Sequence, residues 1–261
     1  MDRGKRILAC LYIKRHKMKT QKILLVGLTI LSLSFTASAD DGFCVKGNGD
    51  IESIDLNLEE FSSIELMESA DVVITQGTNQ HVTVTGDANI IDLLQTDVRN
   101  GEWSIELENG CYRNYQLDVE ITVPDLSQVS LSGSGHIYVN AFDNQNNLDL
   151  SISGSGKIEL ERFRDTRNLD VRISGSGDVI GYDKFDQLQN LDVRISGSGN
   201  YDAYPIEVKN ADINITGSGD CYTSVSEILN VNISGSGRIR YHGSPTVKKN
   251  ITGSGSVRKT D

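Results

Sequence analysis

Proline is scarce in this sequence, with three residues among 261. Because proline lacks a backbone N–H, it is confined within sheets to edges, bulges and strand ends. Pro124, Pro205 and Pro245 stand at positions that suit turns rather than strand centres. The sequence can therefore form many strands with few interruptions.

Histidine and cysteine are also few, at four residues each. His81, His136 and His242 are scattered along the chain, and no catalytic triad can be assembled from them. No His or Cys pair has the spacing of a metal site. We therefore name no catalytic residue, and we expect neither enzymatic activity nor a resident cofactor.

Basic residues are deficient, with 25 Lys and Arg against 36 Asp and Glu and a net charge of −11. Removal of residues 1–39 takes away eight basic residues and one acidic residue, which leaves 17 against 35 and a net charge of −18. A surface this negative argues against nucleic acid and anionic lipid as partners. It permits cations and neutral or basic ligands.

The amino-terminal segment reads as an export signal. Lys19 and Lys22 precede an apolar stretch at residues 23–35, and Ala-Ser-Ala at residues 37–39 fits a signal-peptidase site. The apolar stretch is shorter than the roughly 20 residues that span a bilayer. We predict a signal peptide at residues 1–39, with residues 1–17 an upstream extension, and a product in the periplasm, on the outer surface or secreted.

The tetrapeptide Ser/Thr-Gly-Ser-Gly is the most informative feature present. Its seven copies begin at Ser132, Ser153, Ser174, Ser196, Thr216, Ser234 and Thr252. A period of 18 to 22 residues indicates one supersecondary unit stacked on copies of itself, as in a solenoid.

Apolar and polar residues alternate around each copy, as in residues 169–177, Leu-x-Val-x-Ile-Ser-Gly-Ser-Gly. Strict alternation with β-branched residues predicts a half-buried strand. A second strand follows the tetrapeptide, and Gly-Ser-Gly suits the tight corner between the two strands. A phosphate-binding loop is excluded, because it would occur once and lead into a helix.

At these motifs the chain resembles the head GIN domain family of autotransporter adhesin heads, common in secreted proteins of Bacteroidetes. The resemblance also rests on residues 61–66, Phe-Ser-Ser-Ile-Glu-Leu, and on residues 71–77, Asp-Val-Val-Ile-Thr-Gln-Gly. It implies an all-β fold, a right-handed parallel β-helix with rungs of about 18–22 residues, and no established enzyme activity.

We expect a single β-helix domain of about ten rungs at residues 40–261. It should be less regular at residues 45–124 and regular at residues 125–261. A disulfide, if one forms in an oxidising compartment, is expected between Cys44 and Cys111 in the irregular half. Cys221 falls in an inward strand position and should be a buried free thiol.

One outward row of the repeat is acidic, at four residues before successive tetrapeptides: Asp149, Asp170, Asp192 and Asp212. Stacked carboxylates repel, so calcium could bridge them through hard oxygen ligands. Arg172 and Arg194 lie on the same face and could neutralise the row instead. A solvated, salt-bridged face is the preferred interpretation, and calcium is the alternative.

Tyrosines gather after the corners and are the candidate ligand contacts: Tyr138, Tyr182, Tyr201, Tyr204, Tyr222 and Tyr241. Aromatic faces could stack on sugar rings or meet a protein partner, whereas ordinary edge packing is the alternative.

Three functions follow from these observations. The first is an exported, non-enzymatic module that binds a glycan or protein at the cell envelope. The second is a polysaccharide-active enzyme on the same scaffold. The third is a structural envelope protein that self-associates end to end.

Overall fold

The computed structural model describes residues 44–260, and the predicted signal peptide lies outside them. The described chain is almost entirely β-structure. The strands are β1 (Val45–Lys46), β2 (Ile51–Leu56), β3 (Ser63–Leu66), β4 (Asp71–Gln76), β5 (His81–Asp87), β6 (Val98–Arg99), β7 (Glu102–Ile105), β8 (Tyr112–Arg113), β9 (Leu117–Val123), β10 (Gln128–Leu131), β11 (His136–Val139), β12 (Asn147–Ile152), β13 (Lys157–Leu160), β14 (Asn168–Gly175), β15 (Asp178–Gly181), β16 (Asn190–Gly197), β17 (Asn200–Gly217), β18 (Asp220–Gly235), β19 (Arg238–His242), β20 (Thr246–Gly253) and β21 (Ser256–Lys259), with one short helix, α1 (Ala88–Ile91).

The strands stack in parallel as coils of a β-solenoid of about six turns. From β10 to β21, residues that pair between coils lie 17 to 22 positions apart, as in Asp149 with Asp170 and Asp212 with Asn230. The predicted fold class and coil length are therefore confirmed.

The expected ten rungs are too many. Strand β5 pairs antiparallel with both β2 and β9, and β6 pairs antiparallel with β7. These strands extend the sheets at the amino-terminal end without forming complete parallel coils.

Two rows of strands run through the described residues. One row is ordered β2, β5, β9, β4, β11, β13, β15, β17, β18, β19 and β21. The other is ordered β6, β7, β3, β10, β12, β14, β16, β17, β18 and β20. The long strands β17 and β18 contribute to both rows.

A continuous inward column crosses the first row. Its members pair strand by strand from one end to the other: Ile54, Val84, Val119, Val72, Ile137, Ile158, Val179, Tyr201, Cys221, Ile239 and Val257. Between Val84 and Ile239 each member is at most 1% exposed. The alternation read from the sequence thus produces an unbroken apolar ladder.

The turn opposite the glycine corner carries an aromatic stack. Phe142, Phe163 and Phe185 pack ring on ring, with centroids 5.6 and 4.8 Å apart, and are buried. Each phenylalanine stands just before or within the polar turn that closes a coil, so it anchors that turn to the core.

The three cysteines within residues 44–260 occupy two environments. Cys44 and Cys111, the pair named from the sequence, form a disulfide with an S–S distance of 2.00 Å. Cys221 is a fully buried free thiol, and burial raises its pKa. No helix within residues 44–260 is long and apolar enough to cross a membrane.

The glycine corners allow neighbouring coils to approach closely. Gly197 has φ 138°, a region that favours glycine. A Cβ atom there would lie 2.3 Å from the carbonyl oxygen of Gly175 on the preceding coil. The corner therefore has no room for any side chain at this position.

Replacing Gly197 with alanine should lower the free energy of unfolding by about 2 kcal/mol or more, because backbone strain and overlap act together. Ser198→Ala, at the exposed neighbouring position, should change stability by less than about 0.5 kcal/mol. Urea unfolding of both variants measures the difference, and equal losses would contradict a tight corner.

Candidate ligand-binding groove

The pairing of β17 with β18 shifts register twice, between Asp202 and Glu207 and between Val208 and Asn210, and the first shift is the larger. Asp202 pairs with Tyr222, but the next pair is Glu207 with Ser224, so β17 carries three extra residues between them. Pro205 lies within this insertion, where the missing backbone N–H removes no ladder hydrogen bond. The bulge displaces the neighbouring Tyr204 from the repeat.

Side-chain contacts hold the bulge in place. The Ser224 hydroxyl donates a hydrogen bond to the backbone carbonyl of Tyr204 at 2.6 Å, which satisfies an acceptor outside the ladder. On the adjoining coil Gly243 has φ 95°, and a Cβ there would lie 2.1 Å from the carbonyl oxygen of Val225. The backbones of the three coils that contain Tyr204, Ser224 and Gly243 therefore lie close together at the bulge.

An aromatic cluster stands on the bulge. The rings of Tyr204 and His242 stack, with centroids 4.3 Å apart and an interplanar angle of 19°. Tyr222 meets Tyr204 edge-on at 5.5 Å, and the Arg240 guanidinium lies 5.7 Å from the centroid of the Tyr222 ring. This arrangement gives a half-exposed aromatic surface with a cation at its side.

A groove of about 540 Å³ opens beside the stacked rings. Tyr204 and His242 line it together with hydroxyl groups of Ser224, Ser226 and Ser244. The charged side chains of Lys184 and Glu207 stand at the same groove. An apolar platform surrounded by a few hydrogen-bonding groups is the usual composition of a small-ligand site.

An ion pair between a buried Asp220 and an exposed Arg238 adjoins the cluster at Tyr222. The Asp220 carboxylate is nearly buried and accepts two hydrogen bonds from the Arg238 guanidinium and one from the Arg238 backbone N–H. Desolvation, followed by the charge of Asp220, raises the pKa of Tyr222, so its phenol stays neutral at physiological pH.

The structure brings only part of the predicted tyrosine set together. Tyr204 and Tyr222 form the cluster, whereas Tyr241 is partly buried against the core. Tyr201 is fully buried in the inward column. Its prediction as a ligand contact was wrong, because the strand alternation turns its side chain towards the core.

Tyr138 and Tyr182 belong to a separate polar cluster. Tyr138 donates a 2.6 Å hydrogen bond to Glu161, which with desolvation raises its pKa to about 12. Desolvation alone would raise the pKa of Glu159, but hydrogen bonds from Tyr182 and Lys157 lower it. Glu159 is thus held as an anion within a hydrogen-bonded network.

Two arginines neutralise part of the acidic row, and an asparagine donates a hydrogen bond to another of its carboxylates. Arg172 contacts Asp170 at 3.0 Å, and Arg194 bridges Asp192 and Asp170, the latter at 3.7 Å. The Asn230 amide donates to Asp212 at 2.7 Å.

Calcium at Asp149, Asp170, Asp192 and Asp212 stays a hypothesis. Within residues 44–260, no group of three or more His, Cys, Asp or Glu side chains is arranged to hold a metal ion.

Two features of this region were not predicted from the sequence. His242 was dismissed as scattered, although it lies eight residues after Ser234, at the same repeat offset that Tyr204 has from Ser196. An amide ladder also joins Asn147, Asn168 and Asn190 through hydrogen bonds of 2.7 and 2.8 Å. An alignment of the repeats on their tetrapeptides shows an asparagine six residues before successive copies, and this signal would have predicted the ladder.

The chain is a β-solenoid with a groove on its outward surface. The family described as "Putative auto-transporter adhesin, head GIN domain" matches residues 60–245, and the chain belongs to this family. No curated protein matches the chain.

Solved structures share the fold. A "putative lipid binding protein" from Parabacteroides distasonis is 26% identical with a TM-score of 0.65, over 83% of this chain and 99% of that one. A "putative adhesin" from Bacteroides fragilis is 23% identical with a TM-score of 0.73, over 83% and 100%. A further one from Parabacteroides merdae is 20% identical with a TM-score of 0.63, over 84% and 100%.

The environment of Asp192 gives a pH-dependent prediction. Desolvation raises its pKa; Arg194 opposes this effect, and the charges of Asp170 and Asp212 add to it. A carboxyl with a higher pKa in the folded state than in the unfolded state lowers the free energy of unfolding as the pH rises between the two pKa values. Below the unfolded-state pKa the carboxyl is protonated in both states, and the loss of stability disappears.

Asp192→Asn should therefore be more stable than the wild type at pH 7, and the difference should vanish as the pH falls below about 3.9. Asparagine suits the row, since Asn230 already occupies an equivalent position. Thermal unfolding from pH 3 to pH 8 measures the effect. Lower stability of Asp192→Asn at neutral pH would show that the Arg194 ion pair outweighs desolvation.

Proposed function

We propose that this chain is an exported, non-enzymatic binding module of the cell envelope, and that the groove beside Tyr204 and His242 binds a glycan. The stacked Tyr204–His242 pair at the edge of the groove carries the proposal. Flat aromatic faces with polar rims suit sugar rings, which present apolar C–H faces and peripheral hydroxyls.

Polar groups around the platform support this ligand class. Serine hydroxyls can both donate and accept hydrogen bonds, so Ser226 and Ser244 match the hydroxyls of a sugar. Lys184 and Glu207 add one charge of each sign. The groove therefore favours a neutral or weakly charged saccharide over a strongly anionic polymer.

The carboxylates of the described residues favour binding over catalysis. A glycosidase needs one carboxyl that is protonated as a general acid and a second one nearby. Asp170 is ion-paired with Arg172, and hydrogen bonds lower the pKa of Glu159. Desolvation raises the pKa of Asp192, but Arg194 contacts this carboxylate directly and opposes the shift. The family is also described as adhesin heads, which is consistent with a non-enzymatic role.

Tyr204→Ala should weaken retention on the preferred glycan by about tenfold or more, because it removes the platform ring. Tyr204→Phe keeps the ring and should retain most of the binding. Tyr182→Ala removes an exposed tyrosine outside the groove and serves as the matched control. The measurement is retention on an immobilised panel of host and bacterial polysaccharides, with and without calcium.

Other outcomes select other functions. New sugar ends that disappear in Asp170→Asn or Asp192→Asn would indicate a polysaccharide-active enzyme. Binding to phospholipid vesicles would bring this chain closer to the Parabacteroides protein named for lipid binding. Equal retention by Tyr204→Ala and Tyr182→Ala would place the glycan site elsewhere. No retention on any polysaccharide and no new sugar ends would favour a protein partner.

A further inference from the structure

The first row of strands has two free edges within the described residues. At one edge β2 pairs only with β5, and at the other β21 pairs only with β19. Each edge presents backbone N–H and C=O groups that can accept another strand.

The apolar column that crosses this row is uncovered at both ends. Ile54 sits on the core side of β2 yet is 36% exposed. Val257 at the other end is only partly buried, in contrast to Ile239 beside it, which is fully buried. Another strand at either edge would bury the terminal member of the column.

Strand direction permits the two edges to join. Strand β2 is antiparallel to β5, and β5 is antiparallel to β9, so β2 and β9 run in the same direction. Strand β9 is parallel to β4, and the pairing remains parallel from there to β21. A second copy displaced along the stacking direction would therefore place its β2 parallel to β21, as another coil would lie.

The charges of the two edges are opposite. Residues 238–260 contain six basic residues and no acidic one: Arg238, Arg240, Lys248, Lys249, Arg258 and Lys259. Residues 50–60 contain five acidic residues and no basic one: Asp50, Glu52, Asp55, Glu59 and Glu60. Like edges repel each other, whereas unlike edges attract.

The side-chain register reinforces this match. If Val257 of one copy continues the column into Ile54 of the next, as it continues from Ile239, then Arg258 faces Asp55. The Asp55 side chain is 69% exposed; its Oδ1 contacts His81 and accepts a hydrogen bond from Thr83, and its Oδ2 is the oxygen for such a contact. Opposite charges directly across a strand pair are stabilising.

We propose that copies of this chain stack head to tail, with the basic β21 edge of one copy pairing in parallel with the acidic β2 edge of the next. Such an interface is heterologous, because it uses two different surfaces of the same chain. It leaves one free edge at each end of the assembly and can therefore propagate into a filament.

Two charge reversals test the interface. Asp55→Arg should oppose Arg258 of its neighbour, and Arg258→Asp should oppose Asp55, so each variant alone should associate at least about tenfold more weakly than the wild type. A mixture of the two variants restores opposite charges at every junction between unlike molecules. Sedimentation of each sample over a range of concentrations, with thermal unfolding as a folding control, gives the result.

Recovery of large species only in the mixture, together with weaker association at high salt, would support the stacking. Ser53→Arg, on β2 but not at the paired charge, is a control that should weaken association less than Asp55→Arg does. A wild-type chain that stays monomeric at every concentration would overturn the proposal. So would association that both reversals leave unchanged.

Discussion

Hydrogen bonds between successive coils hold the strands of this solenoid about 4.8 Å apart, and the other features must fit that separation. The glycine corners permit this separation because they place no side chain between one coil and the next, as at Gly197 and Gly175. The inward columns satisfy it by stacking apolar residues that bury one another. The outward asparagines satisfy it by donating from one coil to the next, as Asn168 does to Asn147.

The candidate binding groove exists because the chain departs from this regularity at the bulge in β17. Three extra residues in β17 cannot join the ladder; Ala203 and Ile206 of this segment stay buried, whereas Tyr204 and Pro205 turn outward. The neighbouring coils accommodate them through the Ser224 hydrogen bond and the glycine at position 243. A rigid ladder thus positions an irregular segment, which is the usual division between scaffold and binding loop.

The sequence was sufficient for the regular part of the fold, because alternation and spacing are local properties that repeat. It predicted the strand on each side of the glycine corner and the inward position of Cys221. It could not predict that β5 would run antiparallel to β9, since that pairing depends on which edges remain free. Tyr201 was misassigned to the surface although its own column is inward, and His242 joined Tyr204 only through the register of three coils.

Each coil of the described region contacts chiefly the coil before it and the coil after it, and the glycine corner has the same sequence in seven copies. Duplication or loss of one whole coil would therefore recreate the same junction on both sides. Gene rearrangements in steps of about 20 codons are thus compatible with folding, whereas a one-residue insertion within a strand would turn the following side chains of that strand to the opposite face unless a bulge absorbed it. The number of coils can consequently change during evolution while the inward residues of the remaining coils stay the same.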